Sequence, residues 1–146
     1  MNAGTSDKDM IDLLIDDHRE VESLFQELES GDNDPPRRKQ LVSVMIAELV
    51  RHSVAEEQHL YPAARRALEN DEENDLFPQL RQACSHDDLL ALGAKLRKAK
   101  SSAPTRPHPK APDEPPANKF LAPGAGLVDR VRDALTHRPT EPDELA

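Results

Sequence analysis

Residues 51–62, RHSVAEEQHLYP, set the reading of the whole chain. His52, Glu56 and His59 are spaced by four and three, which stacks side chains on one face of a helix. Met45 and Leu49 continue that face upstream. Polar groups on a core-facing stripe need partners, because burying them unpaired costs about 2–7 kcal/mol each. A cation is one such partner. His-x-x-x-Glu places an imidazole and a carboxylate one turn apart, suited to one metal or an adjacent pair. The segment belongs to a long helix for which Asp34 is the expected cap. Pro35 and Pro36 sit in its first turn, where a missing N–H costs little, and Leu41, Met45, Leu49 and Leu60 carry it towards Ala67.

Upstream, Ile11, Leu14, Val21, Phe25 and Leu28 step by threes and fours, predicting a first helix capped by Ser6 or Asp7. Ser30 to Pro36 breaks it, and so short a connection predicts an antiparallel hairpin. His18 lies in the stripe between Leu14 and Val21. It is about 18 Å from the turn at about 1.5 Å per residue, and His52 is about 22 Å from Arg37. The two histidines are therefore expected at similar depth on helices about 8–10 Å apart. Each alone also fits a core or boundary histidine, and Glu56-Glu57 a solvated face; the joint pattern is what points to metal.

Downstream, AEEQHLYPAARRA (Ala55 to Ala67) is echoed by DEENDLFPQLRQA (Asp71 to Ala83). Glu56 aligns with Glu72, Tyr61 with Phe77, Pro62 with Pro78 and Arg65 with Arg81, a duplication too specific for chance. The second copy has Leu68 where the first has His52, and Asp75 where it has His59. A short helix over 71–83 and another over 87–100 are expected. From 101 to 125 proline is dense, which predicts an extended linker. GLVDRVRDAL then puts Leu127, Val131 and Leu135 on one face of a short amphipathic helix, 126–137. The expected division is a helical domain over 7–100, the linker, and this last helix.

Composition narrows the alternatives. Aromatics are 3% of the chain, so a core must be built from aliphatic residues, and no stretch alternates like a half-buried strand. An all-α fold follows. The net charge of -9 disfavours nucleic acid, which is held by Lys and Arg clusters. No apolar run approaches the roughly 20 residues of a membrane helix. The first ten residues lack a signal-peptide core, and the lone Cys84 has no internal disulfide partner, so a reduced cytoplasmic setting is the expectation.

DDHREVESLF (Asp16 to Phe25), RHSVAEEQHLYP and DEENDLFPQLR resemble the first-helix, second-helix and late fourth-helix motifs of the hemerythrin-like (HHE cation-binding) family. Similarity continues through KLRKAK (95–100) and the proline-rich tail. The resemblance implies an antiparallel four-helix bundle with a non-haem di-iron centre that binds oxygen or responds to iron, nitric oxide or peroxide. Carried over residue by residue, it assigns His18, His52, Glu56 and Glu72 as metal ligands. His59 lies on the right face to add a ligand but has no fixed family counterpart. The departure is between Ala67 and Asp71, where there is no room for a third helix or the start of the fourth. The expected fold is thus a truncated hemerythrin-like bundle, a hairpin plus shorter helices, with an incomplete site.

Three functions follow as expectations. The first is an iron-binding protein with oxygen or oxidant binding or sensing; the second is an iron-dependent enzyme acting on peroxide or nitric oxide, although nothing specifies a substrate pocket and no catalytic residue is assigned. The third is a metal-free helical interaction module. A homodimer pairing two hairpins is expected to cover exposed apolar stripes and to bring two sets of His18, His52 and Glu56 together.

Overall fold

The computed structural model describes residues 8–31, 34–67, 76–108 and 117–145, and among these there is no strand. Helix α1 spans Met10–Glu29 and α2 spans Pro35–Ala55. Asp9, rather than Ser6 or Asp7, caps α1: its side chain accepts from the Ile11 and Asp12 N–H groups, each at 2.9 Å. Asp34 caps α2 as expected, accepting from Arg37 N at 2.8 Å. Gly31, at φ 77, takes a left-handed conformation just past α1 that glycine adopts without strain.

Beyond Ala55 the helix widens into a π turn, Glu56–Leu60, and resumes as α3, Tyr61–Ala67. Pro62 has no N–H to continue an α-helical ladder, and the wider turn lies directly before it. Helix α4 covers Leu76–Ala83; the earlier part of the expected 71–83 helix, with Glu72 and Asp75, lies outside the described residues, as does Leu68. The 87–100 helix is slightly longer, His86–Ser102 (α5), with Ser85 accepting from Asp88 N.

Helix α5 changes the packing expected from the hairpin. It lies against both α1 and α2. Leu89 and Leu96 join Met10, Ile11, Leu14, Ala55, Leu60 and Leu80 in one core, with Phe77 and Cys84 packed against it. A second cluster, Leu24, Leu41, Val44 and Met45, fills the hairpin's turn end. The cover over the hairpin is therefore a whole third helix, not only the residues of α4. Gly93 permits this approach, since a Cβ there would stand 2.7 Å from the Lys8 carbonyl oxygen. At the same end, Arg81 of α4 grips the start of α1 through Asp9 (2.8 Å) and Asp12 (2.7 Å).

The last helix is longer than expected. It runs Ala117–Thr136 (α6), with Pro123 inside it, where an extended linker to residue 125 was predicted. Proline density misleads here because the helix continues through Pro123, which removes one backbone donor without ending it. The start of the segment is not free either: 101 and 102 still belong to α5, and Ala103, Pro104 and Thr105 are buried. Asp129 of α6 accepts from the Thr105 and Arg106 N–H groups, each at 3.1 Å, and pairs with His108 at 3.0 Å. Asp133 binds the Thr105 hydroxyl, Arg106 and Arg138. His108 is thus part of a clamp. Gly126 lies so close to the end of α5 that a Cβ would come 2.2 Å from the Ser102 carbonyl oxygen. Residues 109–116 lie outside the described residues.

Candidate metal centre

The π turn governs which side chains of α2 reach the centre. Up to Glu56 the winding is α-helical, so His52 and Glu56 stack one turn apart, with His52 Nε2 3.2 Å from Glu56 Oε1. Past Glu56 the turn takes an extra residue and rotates everything that follows. Tyr61, five residues on, comes back over Glu56: its hydroxyl donates to Glu56 Oε2 at 3.1 Å. His59 is carried out of register and is not in the ligand cluster.

Helix α1 supplies the facing ligand. His18 Nε2 stands 3.1 Å from His52 Nε2, the rings tilted at 57°. Phe77 of α4 stacks on the other side of the His18 ring, centroids 6.1 Å apart, and limits its swing. His18, His52 and Glu56 each offer a ligand atom, all within 4.8 Å of one another. The similar depth expected for the two histidines is therefore observed. Their setting is not a sealed core: His18 is exposed, and Phe25 and Leu49, expected on core-facing stripes, are 44% and 40% exposed. Helix α5 accounts for this. It draws Leu14 and Asp17 inward and leaves the His18–Phe25 edge of α1 on the rim of a groove.

Behind the centre, Asp17 is nearly buried and accepts from His52 Nδ1 at 3.1 Å; its other oxygen is paired with Lys100 of α5. That bond fixes the His52 tautomer and aims Nε2 at the cluster. Burial alone would push the His52 pKa down, but the hydrogen bonds and charges of Asp17 and Glu56 lift it to about 9. Burial opposes ionisation of Asp17 too, yet His52 and Lys100 hold its carboxyl below the usual range. Glu56 is likewise lowered by His52 and Tyr61 against the effect of burial. The charged form of His52 is thus favoured by the two carboxylates beside it.

The separations suit a cation. Adjacent ligand atoms around one ion lie about 3 Å apart when the bonds are about 2.1 Å, and the two contacts at His52 Nε2 are 3.1 and 3.2 Å. Two imidazoles and a carboxylate suit iron, manganese or zinc. Sequence reasoning singled out this trio. It missed Asp17, although Asp17 adjoins His18 in the quoted motif, because its contact runs to His52 across the hairpin. It also missed Lys100 and Tyr61; nothing in the spacing ties Lys100 to the centre, and Tyr61 reaches it only through the π turn.

The hemerythrin HHE cation-binding domain matches residues 9–138, nearly the whole chain. The protein belongs to that family. Neither a curated protein nor a solved structure matches it. No helix among the described residues is long and apolar enough to cross a membrane.

Proposed function

We propose that this chain holds non-haem iron through His18, His52 and Glu56 and uses it to bind or sense oxygen or a small oxidant. The observation that carries the reading is the convergence of two imidazole Nε2 atoms and one carboxylate oxygen from α1 and α2. Family membership favours iron over the other metals these ligands accept. Bound iron would supply an open coordination position and an accessible redox change. The chain's own residues orient the ligands, with Asp17 aligning His52 and Tyr61 aligning Glu56. A groove of about 280 Å³ opens beside them, lined by Val21, Phe25 and Leu49 as well as the histidines. That size, at the small end for ligand sites, favours a diatomic or peroxide-sized guest over an organic substrate.

The test is anaerobic loading with ferrous iron, removal of excess, and admission of oxygen. Retained iron with an oxygen-dependent change in the visible spectrum is expected. Retained iron with multiple turnover of peroxide would favour the enzymatic reading. Failure to retain any metal would favour a metal-free helical module.

A second reading concerns assembly. We propose that two copies associate along the α1–α2 face, supported by the exposure of Phe25, Val42 and Leu49 there. Sedimentation equilibrium at tens of micromolar tests it (concentration scale as for ordinary weak dimers, about 10 μM); a monomer throughout would rule it out.

A further inference from the structure

We propose that the centre is mononuclear: one cation per chain, held on one side by His18, His52 and Glu56, with its remaining positions turned to the α1–α2 groove. The inference rests on the metal-binding reading above and departs from the paired irons of the family.

The donor inventory is the first reason. Among the described residues, only this trio gathers at least three metal-capable side chains. Asp17 is near but faces His52 Nδ1, on the side of the ring away from the cluster, and its other oxygen holds Lys100. His108 is engaged by Asp129, and Cys84 packs against the apolar core. Among the described residues no second group of three such side chains is found beside it.

Glu56 gives the second reason. A carboxylate that bridges two cations must offer both oxygens. Here Oε1 faces His52 and Oε2 accepts the Tyr61 hydroxyl at 3.1 Å. The phenol thus competes with a second ion for that oxygen. Charge is the third. Cations in two-metal sites stand roughly 3.5–4 Å apart, and their repulsion is offset by several shared carboxylates. The trio carries a single carboxylate, enough to leave one dication with a net charge near +1.

Geometry and exposure complete the case. The 3.1 and 3.2 Å contacts at His52 Nε2 are the spacing of neighbouring ligands on one ion. Two histidines and a carboxylate on one side of a cation, the rest open, is the donor set of mononuclear non-haem iron centres. The open side is the groove beside Val21, Phe25 and Leu49, so the exchangeable positions would hold water or a small, weakly hydrated ligand.

Manganese(II) is the probe, added to the full metal-free chain, with bound metal counted by elemental analysis and its spin state read by electron paramagnetic resonance. Expected are one manganese per chain and the hyperfine-resolved signal of an isolated ion, both lost in His18→Ala. Asp17→Asn should keep the stoichiometry and the isolated signal while weakening affinity roughly 10–100-fold. Circular dichroism confirms that each variant is folded. Two ions per chain, or an exchange-coupled signal, would overturn the proposal while leaving metal binding intact. Coupling at one ion per chain would overturn it too, by placing a pair of ions between two copies. No uptake of manganese or iron would overturn both this inference and the function on which it rests.

Discussion

Among the described residues, two clusters of histidine and carboxylate are built in opposite ways. At the α6 clamp, Asp129 and Asp133 are almost wholly buried, and the acceptors meet donors: backbone N–H groups, the Thr105 hydroxyl, Arg106, Arg138 and His108. Arg138 also ties the clamp to α2 by donating to the Ser43 carbonyl at 3.0 Å. At the α1–α2 centre, two imidazole edges point at each other and at Glu56, on the rim of an open groove. Like groups aimed at one point need a proton or a metal between them. The same residue types thus make a fastening where donors and acceptors match, and a candidate cation site where ligand atoms converge.

That contrast can be broken by removing a member of each cluster. Asp133→Ala strips the clamp of the carboxylate that answers two guanidinium groups. Loss of a partnered buried charge typically costs about 3–5 kcal/mol; some exposure of the arginines lowers the expectation to about 3 kcal/mol. A fall in the urea midpoint of that order, with metal affinity unchanged, is predicted. Coupled loss of metal would merge the two clusters into one unit.

The next effect is smaller and lies wholly at the centre. Asp17→Asn keeps the shape but removes the charge that orients His52, so metal affinity should drop roughly 10–100-fold. Lys100→Met should act in the same direction and more weakly, because Lys100 reaches the ring only through Asp17. An equal or larger effect for Lys100 would assign it a direct role.

Acid–base behaviour sharpens the comparison further. In the metal-free chain the folded-state pKa of His52 is raised from 6.5 to about 9. Its contribution to stability is therefore fully present below pH 6.5 and is lost as pH rises through about 9. Urea midpoints of stripped protein across this window should decline in wild type more than in His52→Ala. A parallel decline in both would place the titration elsewhere.

Much of this was legible in the sequence, for reasons particular residues make clear. The Asp34-Pro35-Pro36 start of α2 has one low-energy reading, and the structure follows it. The His18, His52 and Glu56 trio was found because helical winding turns spacing into geometry as far as Glu56. His59 and Tyr61 exchanged places because the winding changes at the next residue, and only Pro62 hinted at it. The extended linker is not what forms, because α6 continues through Pro123 and because Asp129 and Asp133 secure Thr105 and Arg106 from more than twenty residues away. Such contacts leave no local period. The burial of the hairpin was misjudged for the same reason: nothing short-range reveals that α5 lies across both long helices.

The converging cluster, and not the matched one, is the proposed metal site. Equilibrium binding of ferrous iron under anaerobic conditions to the wild-type chain, His52→Ala and His108→Ala tests it most directly. Wild type and His108→Ala should bind with equal affinity, and His52→Ala should lose more than the roughly 100-fold upper range seen for outer-sphere partners. Equal loss in the two variants, or no specific binding by the wild type, would contradict the account.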